Sequence, residues 1–564
     1  MSGVARRGPD RASLRSDAVA GVVLGVQSVP DGLATGLLAG VNPLAGLYAY
    51  LVGTITGTLV TSSTLMVVQG TGAMAMIVAD VPTVHEASDP ARALFTLSIL
   101  TGIVMAVAGL LRAGTVLRFV SNAVMVGFIN AVGVNIVLGQ LENLTGYAAP
   151  GSNRVTRAVH TVLSPSELHW QSIAVGLVTV ALIVLLERTP VGSLGLVLAV
   201  VVTSAVAAAL GWSEVATLQD LGVAVDGLPT PTWPLIGQVP VLIVPALSLA
   251  FVGLVQGAGI SGSFSNPDGS VPDASRDFLG QGVANVASGI FQGMPVGGSV
   301  SATALNRAAG ARTRFAAVAA GIVMALVVVL LGDAVGHLAM PALAGLLILI
   351  GIRTLKPGDL VSMWRTGVVQ RSVMVVTFVL TMVIRLQWAV MIGVGLSLLL
   401  YVVRQSNQVS IRRWTRDADG HVVETDPPAE LAPSDVVVLQ PYGSLFFAAA
   451  PTFEAALPAV TPASRHSVVI VRLRGRSDLG TTFMDVLRRY AVALTAVGSK
   501  LVIVSANERI RAQLDLTGVL AVVGAENVHA GTERVGAALR LAYADAEVWV
   551  REQADDPDAD AGVS

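Results

Sequence analysis

The chain has 564 residues, 53% of them hydrophobic and only 13% charged, with a formal net charge of −2. A soluble globular chain carries about 25% charged residues, so this is the composition of a polytopic membrane protein with a polar annex, seated in a lipid bilayer and with no nucleic-acid partner expected. Cysteine is absent, which excludes disulfides, thiolate metal sites and cysteine nucleophiles.

Residues 1–16 form a basic, polar tail. The apolar segment after them is long and lacks a small-residue cleavage site, so no cleaved signal peptide is expected. From Ala18 to Val403 apolar segments of membrane length recur. A span needs ~20 apolar residues, fewer where the helix is broken. Expected spans begin near residues 18, 46, 66, 93, 119, 172, 192, 239, 279, 297, 315, 335, 372 and 388, within a transmembrane domain of residues 17–405. That makes fourteen, with the third and tenth short. With the N-terminus inside, the cytoplasmic segments hold eighteen Arg and Lys, among them Arg6, Arg118, Arg307, Lys356 and Arg404. The outer segments hold only Arg92, Arg154, Arg157 and Arg385. This positive-inside bias predicts both termini on the cytoplasmic side of the cell membrane.

Two of the spans are interrupted. Val68-Gln69-Gly70-Thr71-Gly72-Ala73-Met74 breaks the first half of the chain, and Gly293–Asn306, GMPVGGSVSATALN, breaks the second. A helix that starts in mid-membrane leaves its first N–H groups unpaired and presents the positive end of its dipole. Such backbone is tolerated only where it lines a cavity or is buried in protein, and an anion is its natural ligand. A simple Gly/Pro kink in a packed helix is the competing reading. Paired breaks in corresponding positions of two halves point to a transporter site between inverted repeats, and each break lies about fifty residues after its half begins, near Asp17 and Val239.

Residues 406–433 are polar, contain Asp426-Pro427-Pro428 and read as a linker. From 434 to 550, buried strands are expected at Val436–Leu439, Val468–Val471 and Leu501–Val504, with helices at Phe483–Val497, Arg509–Leu516 and Glu533–Tyr543. This alternation predicts a small α/β domain. The acidic tail, 551–564, is expected to be disordered.

VQSVPDGLATGLLAGVNPLAGLY (26–48) and LGQGVANVASGIFQGMPVGGSVSATALNRAAGART (279–313) resemble two motifs of the SulP family of inorganic anion transporters, and the annex resembles a STAS domain. The resemblance covers nearly the whole chain. It implies a polytopic α-helical fold of two inverted sets of seven spans, a core domain moving against a gate domain, and a homodimer. It places the substrate site between two half-helix N-termini, at Gly70, Thr71, Gly72 and Ala73 and at Gly298, Ser299, Val300 and Ser301. The first span contributes Asp31 and Thr35, and the eighth contributes Gln256.

Three positions depart from the family pattern. Many relatives have Glu or Asp where this chain has Gln256, Arg where it has Ala302, and Gln where it has Asp31. Ionisable groups at membrane depth are functional candidates, which makes Asp31 the candidate coupling residue for a proton. Asp31 can instead cap a helix break after Pro30, and Gln256 can serve as interhelical packing. Ser299, Ser301 and Thr71 can bond to their own helices. Asn122, Asn130 and Asn135 read as interhelical glue. Asp333 and His337 read as solvated, and the spacing of His85, Glu86 and Asp89 matches no metal motif. In the annex, Gly480-Thr481-Thr482 lacks the Asp of a phosphoacceptor turn, so Thr481 reads as an N-cap.

The leading expectation is a secondary transporter of a small inorganic anion such as sulfate, bicarbonate or chloride, with protons as possible co-substrate. The alternatives are a proton-coupled carrier of another small acid or neutral solute, and a non-transporting channel or sensor. No nucleophile–base constellation, phosphate loop or metal cluster is present, so no enzyme, cofactor or metal is expected.

Overall fold

The computed structural model describes residues 11–112, 121–151, 153–221, 227–384, 409–419, 421–443, 447–475 and 479–555, with isolated residues between 388 and 403 and at 445. These fall into two units, residues 1–397 and 398–564. The expected span near 388 has no continuous described helix. Arg6, Arg118, Arg385, Arg404 and the tail beyond 555 also lie outside the described residues.

In the first unit, polar residues and proline punctuate apolar runs. Asn42 caps the second helix by accepting from Leu44 N, with Pro43 at the first helical position. Asp89 and Pro90 do the same for the helix Pro90–Leu110. In chain order the elements are α1 Arg11–Leu38, α2 Pro43–Val60, β1 Val68–Gln69, α3 Gly72–Ala79, α4 Pro82–Glu86, α5 Pro90–Leu110, α6 Asn122–Gly139, α7 Leu141–Thr145 and α8 Arg154–Leu163. They continue with α9 Trp170–Leu186, α10 Gly195–Ala209, α11 Val239–Ser263, α12 Ala274–Ile290, β2 Gly297–Gly298, α13 Val300–Ala308, α14 Phe315–Gly336, α15 Met340–Thr354, α16 Pro357–Thr366 and α17 Val368–Val383. A helix or half-helix thus stands near each of the first thirteen expected starts. Among the described residues, eight helical segments are long and apolar enough to cross a membrane, and α9 and α17 are shorter apolar helices.

The helices pack as two bundles. The first contains α1, α2, α3, α5, α11, α12, α13 and α14; the second contains α6 to α10, α15 and α17. Glycine lets the first bundle close: a Cβ on Gly46 of α2 would lie 2.1 Å from the Gly32 carbonyl oxygen of α1. The bundles touch each other more sparsely, through α1 with α10 and α15 and through α3 with α6. In the second bundle Asn135 donates to the Thr381 carbonyl of α17 and Asn130 accepts from Lys356 N, so both act as interhelical ties. Asn122 is exposed at the start of α6. Asp333 and His337 are exposed, as expected.

The second unit is a six-stranded sheet in the order β4-β3-β5-β6-β7-β8. Its strands are β3 Ser410–Arg416, β4 Val422–Thr425, β5 Val436–Tyr442, β6 Val468–Arg472, β7 Lys500–Ala506 and β8 Val528–Ala530. The last four are parallel and β3 and β4 are antiparallel. The helices are α18 Ala450–Ala455, α19 Thr481–Ala496, α20 Glu508–Leu516, α21 Val519–Val523 and α22 Ala537–Asp555. Separate apolar clusters cover the two faces of the sheet.

Three expectations need correction here. Residues 406–433 are not a linker, because β3 pairs with β5 along Ser410–Trp414, and the Arg472 guanidinium lies 4.5 Å over the Trp414 ring. Thr481 is not an N-cap: Gly480 holds that position and no side chain caps the helix. The last helix begins at Ala537 rather than Glu533.

Candidate functional site

The two interrupted spans meet. β1 and β2 pair antiparallel, with Val68 opposite Gly298 and Gln69 opposite Gly297. Glycine is required in β2 because α11 packs on its backbone. A Cβ on Gly297 would lie 3.1 Å from Gly253 Cα, and one on Gly298 would lie 3.0 Å from Gly257 Cα. Buried amides satisfy the rest of the extended chain. Asn285 donates to the Val296 carbonyl at 2.6 Å and accepts from Val296 N at 2.9 Å. Gln281 accepts from Gly298 N at 3.0 Å, and Gln69 donates to Ser28 and Thr54.

Unpaired backbone is left at the two half-helix starts. Thr71 caps α3 by accepting from Met74 N, and Ser299 caps α13 by accepting from Ala302 N. The N–H groups of Gly72, Ala73, Val300 and Ser301, at the first two positions of each half-helix, are left without intrahelical partners. Both helix dipoles present their positive ends here.

The flanking helices join this centre through side chains. The Thr71 hydroxyl donates to Gln256 Oε1 at 3.1 Å. Pro30 does not break α1, which runs on to Leu38, so Asp31 is a mid-helix residue and not a cap at a break. Tyr50, not anticipated from sequence, is the hub on this side. Its hydroxyl donates to the Gly70 carbonyl at 2.9 Å and lies 3.0 Å from Thr35 Oγ1 and 3.3 Å from Asp31 Oδ2. Thr35 itself donates to the Asp31 carbonyl at 2.7 Å. The anticipated residues of α1, both breaks and Gln256 therefore form one connected site. Among the described residues, the Ser301 hydroxyl has one hydrogen-bond partner, Ser299 at 3.3 Å.

Ala302 points away. It packs with Leu24, Val67 and Ala320, so the surroundings that would receive a longer side chain are filled. Beside Gln256 lies a cavity of about 20 Å³ lined by Phe128, Phe251, Val255 and Thr377, room for about one water. A larger cavity of about 760 Å³ lies elsewhere, near His85, Asp89 and Gln292. The site's two ends differ. α3 is buried from Ala73 to Val78, and a Cβ on Gly72 would lie 2.7 Å from Ile136 of α6. α13 leaves Val300, Ser301, Ala304 and Arg307 exposed along one face.

Two half-helices that start from one strand crossing, inside a bundle of membrane-length helices, are the arrangement of an ion- or solute-translocating membrane protein. Residues 14–377 match the Sulfate permease family and residues 428–533 the STAS domain, so the chain belongs to the sulfate permease family, a family of transporters and not of enzymes. It is 26% identical over 532 residues to the "Probable sulfate transporter Rv1739c" of Mycobacterium tuberculosis, covering 91% of this chain and 93% of that one. It is 26% identical over 445 residues to human solute carrier family 26 member 6, covering 73% and 58%. Among solved structures, murine Slc26a9 in the inward-facing state superposes with a TM-score of 0.84 at 19% identity, covering 95% and 92%. The transmembrane domain of the cyanobacterial bicarbonate transporter BicA gives 0.58 at 20% identity, covering 69% and 98%. These likenesses establish the fold.

Proposed function

We propose that this chain is a secondary active transporter that carries a small inorganic anion, of the sulfate, bicarbonate or chloride class, across the cytoplasmic membrane by alternating access. The observation that carries this reading is the β1–β2 pairing, which starts both half-helices from one short strand crossing. The proposal includes fourteen spans in two inverted sets of seven, both termini in the cytoplasm, and a homodimer. The relatives' names favour sulfate and bicarbonate as first substrates to test.

Asp31 is the proposed coupling residue. Four contacts, from Thr35 to the Asp31 carbonyl and to Tyr50, and from Tyr50 to Gly70 and to Asp31 Oδ2, share only two hydroxyl protons. A proton on Asp31 supplies a third. It also removes the negative charge that would repel an anion. Gln256, which cannot titrate, offers no charge to a sodium ion, and a hard cation prefers carboxylate oxygens. The test is uptake of labelled sulfate, bicarbonate and chloride into proteoliposomes across pH, with and without sodium. Sodium-independent uptake that rises as external pH falls, and loses that dependence in Asp31→Asn, is expected. A sodium requirement, or an unchanged pH profile in Asp31→Asn, would refute the coupling. A protonated Asp31 also suits a small acid or neutral solute, which the same panel extended to such solutes would reveal.

A further inference from the structure

An ion pair joins the two bundles at the α3 end of the site. Arg154 donates from Nη2 to Asp80 Oδ1 at 2.7 Å, with the two side chains only 16% and 14% exposed. Asp80 is the C-cap of the half-helix α3, in the first bundle. Arg154 is the first residue of α8, in the second. Among the described residues, the other ion pairs of this unit, Asp89–Arg92, Glu142–Arg157 and Glu187–Arg353, each stay within one bundle.

Neither charge suits its own helix. An acid at a helix C-terminus and a base at a helix N-terminus both oppose the local dipole. α8 has its own capping box from Asn153 and Thr156 and needs nothing from Arg154. Each residue breaks a local rule, and the ion pair between them offsets both. Local exceptions of this kind are expected where a sequence serves function.

We propose that the Asp80–Arg154 pair is a latch that closes the outer end of the site by holding α3 against the second bundle. This rests on the alternating-access reading and orientation given above. The surroundings agree with it. On the latched side α3 is buried beneath Ile136, whereas the α13 side, with no such tie, exposes Ser301 and Arg307. When the outer end opens, water reaches both charges and the pair loses its advantage. It therefore favours one state over the other, which is the condition for biasing an equilibrium.

The absence of cysteine makes the test direct. Ile136→Cys reports access from the outer side and Ser301→Cys access from the inner side, each with a membrane-impermeant maleimide applied to one face of sealed vesicles. Asp80→Asn and Arg154→Gln should each raise outer labelling at position 136 about tenfold and lower inner labelling at 301, as a shifted two-state population requires. The exchanged pair Asp80→Arg with Arg154→Asp, which suits both dipoles, should return labelling to the wild-type level. A purely local role predicts no such change, because each single neutralisation would then firm its helix and leave access unchanged. Unchanged labelling at 136 in both single variants, or failure of the exchanged pair to restore it, overturns the latch. A rise at both positions together would show loosening without exchange of access and would also overturn it. Failure of the transport reading shows separately, as wild-type vesicles that take up none of the anions tested.

Discussion

Replacing Tyr50 by Phe removes one oxygen and almost no volume, so it isolates what the hydroxyl does. Tyr50 is 3% exposed, and its hydroxyl is the donor to the Gly70 carbonyl, immediately before the cap of α3. Without it a buried acceptor is left unsatisfied, a loss of about 1–3 kcal/mol. The peptide that aims the Gly72 and Ala73 N–H groups is then free to turn. If that loss falls wholly on the anion-bound state, the apparent affinity drops by about 5- to 150-fold. The nearby Thr35 hydroxyl can swing to replace part of it, so the lower end of that range is expected. The assay is concentration-dependent anion uptake in proteoliposomes, with Tyr48→Phe as the matched control. Tyr48 makes the same type of bond, 2.9 Å to the Gly227 carbonyl, away from the half-helix starts. An unchanged KM in Tyr50→Phe, or an equal rise in both variants, would refute the role given to the hydroxyl.

Ser301→Trp should abolish uptake while the protein stays monodisperse, because position 301 faces open space beside the site rather than the core; near-normal uptake would place the substrate elsewhere. Asp277, fully buried, accepts from the backbone and hydroxyls of Ser62 and Ser63 and from Ser261. Asp277→Ala strands these donors and should cost more than ~3 kcal/mol, read as a lower melting temperature in detergent; a wild-type value would contradict that assignment. Truncation after Gln405, the end of the proposed transmembrane domain, should give a better-behaved membrane unit than truncation after Pro433, because the latter leaves β3 and β4 without the β5 strand they pair on. Size-exclusion profiles of the two products decide this, and indistinguishable profiles would count against it.

The helix starts and both breaks were legible because each depends on a short stretch of sequence. Pro43 and Pro90 with their Asn and Asp caps, and glycines at membrane depth, act where they stand. The β3–β4 hairpin was hidden for a physical reason. Every residue of β4 is exposed, so it lacks the apolar run that marks a buried strand, and the prolines that suggested a linker lie just after it. Tyr50 escaped notice because an aromatic residue in an apolar span gives no sign of where its hydroxyl points. Only the packing of α2 against α1 and the first break assigns it a partner. The same holds for Ala302. Its identity could be read as a missing charge, but that its side chain faces Leu24 and Ala320 depends on how α13 is turned.

That orientation bears on how the site handles charge. None of the side chains that form the site is basic. Each helix N-terminus contributes about half an elementary charge, so two supply about +1. Ionised Asp31 cancels that. An anion held one hydroxyl away, about 6 Å, at an effective dielectric of about 20 is repelled by about 3 kcal/mol, or about 100-fold in affinity. Anion binding should therefore weaken as pH rises and Asp31 loses its proton, and Asp31→Asn should bind at every pH as the protonated wild type does. Equilibrium titration of the purified protein with sulfate across pH measures both. If Asp31→Asn cannot bind the anion at all, the carboxyl group holds the substrate directly, and the charge-cancelling role assigned to it is wrong.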